Sequence, residues 1–156
     1  MDLATLYDAW ASRLLAYMMT ITRDRHRAED ALQNLFVKLA TARPDLRDPA
    51  VYLFRAARNE ALRVSGRRRE EPLASLDVIA APQEPRSGAD AAVIARALDL
   101  LPRDQSEVVL LHVLEGLPFR EIGGILGISQ DTAASRYRYA IEKLQEHLKP
   151  WISKTP

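Results

Sequence analysis

The chain of 156 residues contains no cysteine, so disulfide cross-links and thiolate metal sites are excluded. Its six glycines form no phosphate-cradling loop, and its three histidines (His26, His112 and His147) have no metal-ligand spacing. His112 falls in an apolar helical stretch, which favours a packed boundary residue over a ligand. No paired carboxylates or nucleophile motif are evident. The sequence therefore predicts a protein that is not an enzyme and that carries no cofactor and no metal.

Long hydrophobic runs are also missing, so no segment is predicted to insert into a membrane. No basic stretch followed by an apolar core marks a signal peptide at the N-terminus. Together with the absence of cysteine, these features favour a cytoplasmic protein.

Charge is nearly balanced over the whole chain, at +1, but it is unevenly distributed. Residues 43–71 contain eight arginines and five acidic residues, whereas residues 72–90 contain one arginine and three acidic residues. A concentrated basic region is the arrangement that a phosphate-binding surface needs.

Helical periodicity recurs along the chain, and no alternating strand pattern appears. The fold class is therefore predicted as all-α, with two small helical bundles joined by a flexible linker. We expect one domain at 1–70, a proline-containing linker at 71–90 and a second domain at 91–150. The N-terminal domain should contain helices at about 3–21, 24–42 and 49–65. The apolar stripe of the first comprises Leu3, Leu6, Tyr7, Trp10, Leu14, Tyr17, Met18 and Ile21.

Two helix starts have clear capping signals. Asp24 is placed to cap the second helix, and Asp48 followed by Pro49 is placed to begin the third. On the third helix, Tyr52 is among the residues assigned to the buried side. The basic residues on and beside this helix are predicted to bind a nucleic-acid backbone, although arginines near its end also suit the helix dipole. With Asn59 they form the first candidate site, which comprises Arg47, Arg55, Arg58, Asn59, Arg63, Arg67 and Arg68.

The C-terminal half is predicted to contain a fourth helix from Asp90 and a fifth from Pro102. The inward positions of the fourth are Val93, Ile94, Ala97, Leu98 and Leu101, and those of the fifth are Val108, Val109, Val113 and Leu114. This half is predicted to end in a helix-turn-helix. A helix at 118–126 is followed by Gly127, which suits a left-handed helix stop, and by Ser129, which can cap the next helix. Polar and basic groups at the start of that last helix suit the DNA major groove, but an ordinary helical hairpin with a solvated face has the same spacing. The candidate residues are Arg120, Gln130, Asp131, Thr132, Ser135, Arg136 and Arg138.

The order of these segments resembles that of extracytoplasmic-function sigma factors of bacterial RNA polymerase. RAEDALQNLFVKLA is similar to region 2.2, DPAVYLFRAARNEALR to regions 2.3 and 2.4, and the segment from Leu100 to Leu148 to region 4. The resemblance implies a promoter-specificity subunit that binds core RNA polymerase and promoter DNA, with an anti-sigma protein as a possible further partner. It also implies that Asp30, Gln33 and Asn34 contact the polymerase clamp, while the first candidate site holds the melted downstream element. The last helix would bind the upstream element as duplex.

The chain departs from the family pattern in two places, of which the first weakens the expected upstream binding or changes its sequence preference and the second affects only packing. Ala134 and Tyr139 stand where cations are frequent, and Asp131 adds a negative charge. In addition, Ala40 replaces a frequent aromatic residue at the end of the second helix. Two alternatives stay open: a stand-alone helix-turn-helix regulator, against which the basic third helix argues, and a sigma-like adaptor or decoy with little DNA activity, which the missing cations favour.

Overall fold

The computed structural model describes residues 2–66 and 95–152, and every regular element in these ranges is helical. The predicted all-α fold class is confirmed. The chain divides into two compact units, Met1–Pro85 and Arg86–Pro156. The predicted linker at 71–90 lies outside the described residues, and the predicted domain limits stay predictions.

The described part of the N-terminal unit contains three helices: α1 (Leu3–Thr22), α2 (Arg25–Ala42) and α3 (Pro49–Ser65). The carboxylate of Asp24 accepts hydrogen bonds from the backbone amides of His26 and Arg27, which confirms its predicted capping role. Asp48 precedes α3 as predicted, but its side chain makes no capping hydrogen bond. Pro49 at the first helical position supplies the helical φ angle instead.

The core of this unit forms where the apolar stripes of the three helices meet. Tyr17 of α1 packs edge-on against Phe54 of α3, with ring centroids 5.4 Å apart, and both side chains are fully buried. Trp10 packs against the same Phe54 at 6.0 Å. Burial of each large apolar side chain contributes roughly 1.5–3 kcal/mol, so these contacts fix the relative positions of the helices. The other buried apolar side chains include Leu14, Met18, Leu35, Phe36 and Leu53.

Three aromatic or aliphatic side chains assigned to the core are exposed instead. Leu3, Tyr7 and Tyr52 are 40%, 49% and 42% exposed, respectively. Tyr7 covers only the edge of Phe36, at a centroid distance of 4.9 Å. On α3 the buried face is formed by Leu53, Phe54 and the residues that follow them at intervals of about one helical turn. Tyr52 lies outside this face and therefore points away from the core.

The C-terminal unit contains a helix α4, whose described part covers 95–99, and α5 (Arg103–Val109), which continues as a π-helical segment over Leu110–Leu114. It then contains α6 (Phe119–Leu126) and the long α7 (Gln130–Ile152). Three of the inward positions predicted for the fourth helix and the residues after it are buried, namely Ala97, Leu98 and Leu101. Asp90, Val93 and Ile94 lie outside the described residues.

The π-helical segment alters which side chains face inward. Val113 was predicted to be buried, but it is 53% exposed, whereas Leu110 and Leu111 are buried. The amide of Glu115 donates to the carbonyl of Leu110, so the helix turns less per residue than an α-helix. The α-helical periodicity that places Val108 and Val109 in the core therefore does not place Val113 there.

The turn between α6 and α7 is built as the sequence predicts. Gly127 ends α6 with a left-handed φ of 73°, and the amide of Thr132 donates to Ser129 Oγ at 3.0 Å. Gly123 lets the turn fold closely onto α6, because a Cβ atom there would stand 2.6 Å from the carbonyl oxygen of Ile128. Gly123 therefore serves the close packing of this turn on α6.

Candidate nucleic-acid interface

The exposed face of α3 carries the first candidate site. Arg55, Asn59 and Arg63 are exposed, and their spacing of four residues places them along one side of the helix. Arg58 is half-buried at the edge of this face. The structure thus brings together four of the seven predicted residues on a helix whose opposite side is in the core.

The remaining three members of that site lie at or beyond the ends of α3. Arg47 is almost fully exposed and its Nε atom is 3.5 Å from Asp45 Oδ2, a surface ion pair that contributes little to stability. Arg67 and Arg68 lie outside the described residues.

Sequence periodicity misses Tyr52 as a member of this face. It precedes Arg55 by three residues and Asn59 by seven, so its exposed ring stands beside their side chains on α3. An exposed aromatic ring next to arginine and amide groups can stack on an unpaired base. The spacing from Asn59 was the signal that could have placed Tyr52 here.

Glu60 is a second residue that the sequence does not reveal. It is only 5% exposed, and its carboxylate contacts Lys38 of α2 and Arg63 of α3. Burial opposes ionisation of this carboxyl, but the hydrogen bonds from Lys38 and Arg63 outweigh burial and hold the pKa of Glu60 below its ordinary value. Arg63 therefore belongs to an ion-pair cluster as well as to the exposed α3 face.

The polar face of α2 contains the residues predicted to bind polymerase. Asp30 and Gln33 are exposed and Asn34 is half-buried, and all three lie within about one turn of the helix. Opposite them, Ala31, Leu32 and Leu35 are buried against the other two helices. The face is therefore a rigid surface of short polar groups.

The start of α7 presents the second candidate site. Asp131, Ser135 and Arg138 follow each other at spacings of four and three residues, on the side opposite the buried Ala133 and Ala140. Arg120 on α6 and Gln130 at the start of α7 are also exposed.

Two members of this site are held by other residues of the unit. The hydroxyl of Thr132 accepts a hydrogen bond from Ser129 Oγ at 2.9 Å, which makes it part of the cap. Arg136 points towards α5, where its Nε atom lies 3.7 Å from Asp104 Oδ2. Its neighbour Arg138 has its guanidinium carbon 5.5 Å from the ring centre of the exposed Tyr139. The arginines at 136 and 138 therefore sit on different sides of the helix.

His112 packs the π-helical segment against the helix-turn-helix. Its ring stacks on Phe119 at 4.3 Å and meets Tyr137 edge-on at 4.7 Å, while its Nδ1 atom is 2.9 Å from the carbonyl oxygen of Leu117. The prediction of a packed boundary residue is confirmed.

Within the described ranges, no group of three or more histidine, aspartate or glutamate residues could hold a metal ion. A search of the same residues found no helix with the length and apolar character that crossing a membrane requires.

Comparison with known proteins matches both units to one family. Residues 6–71 match the Sigma-70 region 2 family and residues 91–144 match the Sigma-70 region 4 family. The chain is 30% identical to the ECF RNA polymerase sigma factor SigL of Mycobacterium tuberculosis, over 90% of this chain and 85% of that protein. The chain belongs to the extracytoplasmic-function sigma factors. As such it is an alternative sigma factor that directs promoter-specific transcription, and it is a DNA-binding initiation factor rather than an enzyme.

Other proteins of the extracytoplasmic-function group are similar over most of the chain. SigE of Mycolicibacterium smegmatis is 29% identical over 93% of this chain and 61% of its own length. The crystallised sigma factor RpoE of Bartonella quintana, in complex with the anti-sigma factor NepR, matches with a TM-score of 0.70 and 22% identity, over 95% of this chain and 98% of that one. The structural match supports the fold of this sigma factor.

Proposed function

We propose that the two units of this sigma factor divide promoter recognition between the exposed face of α3 and the start of α7, and that the polar face of α2 binds core RNA polymerase. The proposed unit limits are 1–70 and 91–150. The observation that carries the proposal is the α3 face, where an exposed aromatic ring, an amide and arginines lie together.

The α3 face suits a separated DNA strand better than a duplex. Tyr52 offers a stacking surface, Asn59 offers both donors and an acceptor to a base edge, and Arg55 offers charge to a phosphate. Base faces and the Watson–Crick edges of bases become accessible only when the strands are apart. Arg58 and Arg63 extend the basic surface, and the proposed site continues into Arg47, Arg67 and Arg68.

The start of α7 suits duplex DNA. A helix that is capped at its N-terminus and packed on a second helix can enter the major groove with its first turns. The outward stripe of Asp131, Ser135 and Arg138 would face the bases, and Arg120, Gln130, Thr132 and Arg136 would flank it. The carboxylate of Asp131 can accept from a cytosine amino group but is repelled by phosphates.

The polar face of α2 is proposed to bind polymerase because its short polar side chains let a partner helix approach closely. Action with polymerase on promoter DNA also places the protein in the cytoplasm. An anti-sigma protein is a further proposed partner, since the similar Bartonella quintana sigma factor was crystallised with one.

Transcription in vitro tests the proposal directly. Core polymerase with this protein is supplied with a pool of genomic fragments, and the transcript starts are mapped. We expect starts that share an upstream and a downstream element, and weak duplex binding by the protein alone because each unit offers few phosphate contacts. Equal sequence-specific binding with and without polymerase would contradict the proposal.

The polymerase face is tested by the double variant Asp30→Ala with Gln33→Ala. Because both residues are exposed, the variant should keep its helicity while it loses affinity for core polymerase. The matched control is Asp8→Asn, an exposed change on α1. Unchanged capture of core polymerase by the folded double variant would show that another surface binds it.

A further inference from the structure

Glu60 joins two helices through its two carboxylate oxygens. Oε2 pairs with Lys38 Nζ of α2, and Oε1 lies 2.5 Å from Arg63 Nη2 of α3. The Glu60 side chain is 6% exposed, whereas those of Lys38 and Arg63 are 59% and 53% exposed. A buried carboxylate therefore contacts the charged ends of two side chains that are otherwise more than half exposed.

Such an arrangement restrains side chains that are otherwise among the most mobile. Lysine and arginine lose the largest rotamer entropy when they are fixed in one position. Here Glu60 fixes Arg63 before any ligand arrives, and only one nitrogen atom of the guanidinium donates to the Glu60 carboxylate. The planar group retains further donors for a phosphate.

The positions of the two cations connect the surfaces described above. Lys38 follows Asn34 and Asp30 at spacings of four residues, so it extends the polar face of α2. Arg63 follows Asn59 by four residues on the exposed α3 face. Glu60 thus lies between the proposed polymerase-binding face and the proposed strand-binding face.

We propose that Glu60 is a positioning residue that holds Arg63 in place for a phosphate of the separated strand and ties that arginine to α2 through Lys38. The inference rests on the proposed function of the α3 face. It assigns a negatively charged residue a favourable role in binding a negatively charged strand.

This role is distinguishable from a simple effect of charge. If charge alone mattered, Glu60→Gln would strengthen binding of the separated strand, because it removes a negative charge beside Arg63. Glu60→Asp would then change nothing, because it keeps the charge. Positioning predicts that both variants lose strand capture, since glutamine lacks the charge that orders two cations and aspartate is too short to reach both.

The experiment uses full-length protein with core polymerase on a promoter mapped by transcription. Permanganate reactivity of separated thymines measures the open complex, and gel shift at low temperature measures the closed complex. We expect Glu60→Gln and Glu60→Asp each to lower the open-complex fraction relative to the closed complex by about tenfold, the size of one charge-assisted hydrogen bond. Asp8→Asn, which removes an exposed negative charge from α1, should leave both complexes unchanged.

A double-mutant cycle shows whether Glu60 acts through Arg63. Arg63→Ala should lower the open-complex fraction, and adding Glu60→Gln to it should lower that fraction no further. Additive losses, or an unchanged open complex in Glu60→Asp, would overturn the inference.

Loss of fold and loss of the proposed function are separated by two further readings. Circular dichroism reports whether each variant keeps its helicity. Lys38→Met removes the ion pair between Glu60 and α2 by a change at an exposed position, and we expect it to lower the open-complex fraction in part. An unchanged open complex in Lys38→Met would also overturn the inference. If Arg63→Ala melts the promoter normally while Asn59→Ala does not, the α3 face retains its function and the role of Glu60 is refuted.

Discussion

The imidazole of His112 lies parallel to the ring of Phe119, with their centroids 4.3 Å apart and an angle of 18° between the planes. His112 also receives the edge of Tyr137 and contacts the carbonyl of Leu117. One side chain of the π-helical segment therefore touches α6, α7 and the loop that precedes α6. This contact fixes the helix-turn-helix to the rest of its unit.

Replacement of His112 should loosen this attachment. We expect His112→Ala to lower the free energy of unfolding of the C-terminal unit by about 1–3 kcal/mol, through lost ring contacts and an unpaired Leu117 carbonyl. His112→Phe should retain the ring contacts and lose only the hydrogen bond. Amide exchange of α6 and α7 in the full chain measures both effects, and equal protection in wild type and His112→Ala would contradict the assignment.

The helix starts of α2 and α3 offer a matched pair of aspartates. Asp24→Ala should cost about 1 kcal/mol, because two backbone amides lose their acceptor. Asp48→Ala should cost less, because Asp48 makes no capping hydrogen bond. Urea unfolding of the two variants compares them directly. A larger loss in Asp48→Ala would mean that the cap of α3 forms in solution.

Glu60 should make the stability of the N-terminal unit depend on pH at acidic values. Its pKa in the folded chain lies below the ordinary 4.5, so its ionised form stabilises the fold above that pH. This contribution is lost as pH falls from about 4.5 through the lower folded value. The difference in unfolding free energy between wild type and Glu60→Gln should therefore shrink on acidification, and a constant difference would contradict the lowered pKa.

Asn59 and Tyr52 should affect promoter melting more than initial recruitment. Asn59→Ala and Tyr52→Ala should lower permanganate reactivity, because each removes a proposed contact with a base that is exposed only after the strands separate. Tyr52→Phe keeps the ring and should melt the promoter almost normally. A pre-melted template should rescue the alanine variants. An equal defect of Asn59→Ala in the closed complex would indicate a structural role for that amide.

Helices and their order could be predicted from the sequence because they depend on local patterns. The Asp24 cap, the Gly127 stop and the Ser129 cap each act within four residues, so the sequence contains all the information that they need. The same holds for the apolar stripes that build the core of each unit.

Features that depend on non-local packing were missed. The pairing of Glu60 with Lys38 joins residues 22 positions apart and forms only when α2 and α3 pack together. Val113 was assigned to the core because a π-helical turn has no separate signature in the periodicity. Tyr52 was assigned to the core because of its apolar ring, whereas the fully buried Phe54 takes that place.

The close approach at Gly123 divides the helix-turn-helix into positions that can vary and positions that cannot. A side chain at 123 would push the Ile128 carbonyl, and with it the first turn of α7, away from α6. Positions 131 and 138 carry no such constraint, since their side chains are exposed, and Ser135 between them is only half-buried. If α7 enters the major groove as proposed, promoter preference can change by exchange of its surface residues, while the packing of α7 on α6 stays the same.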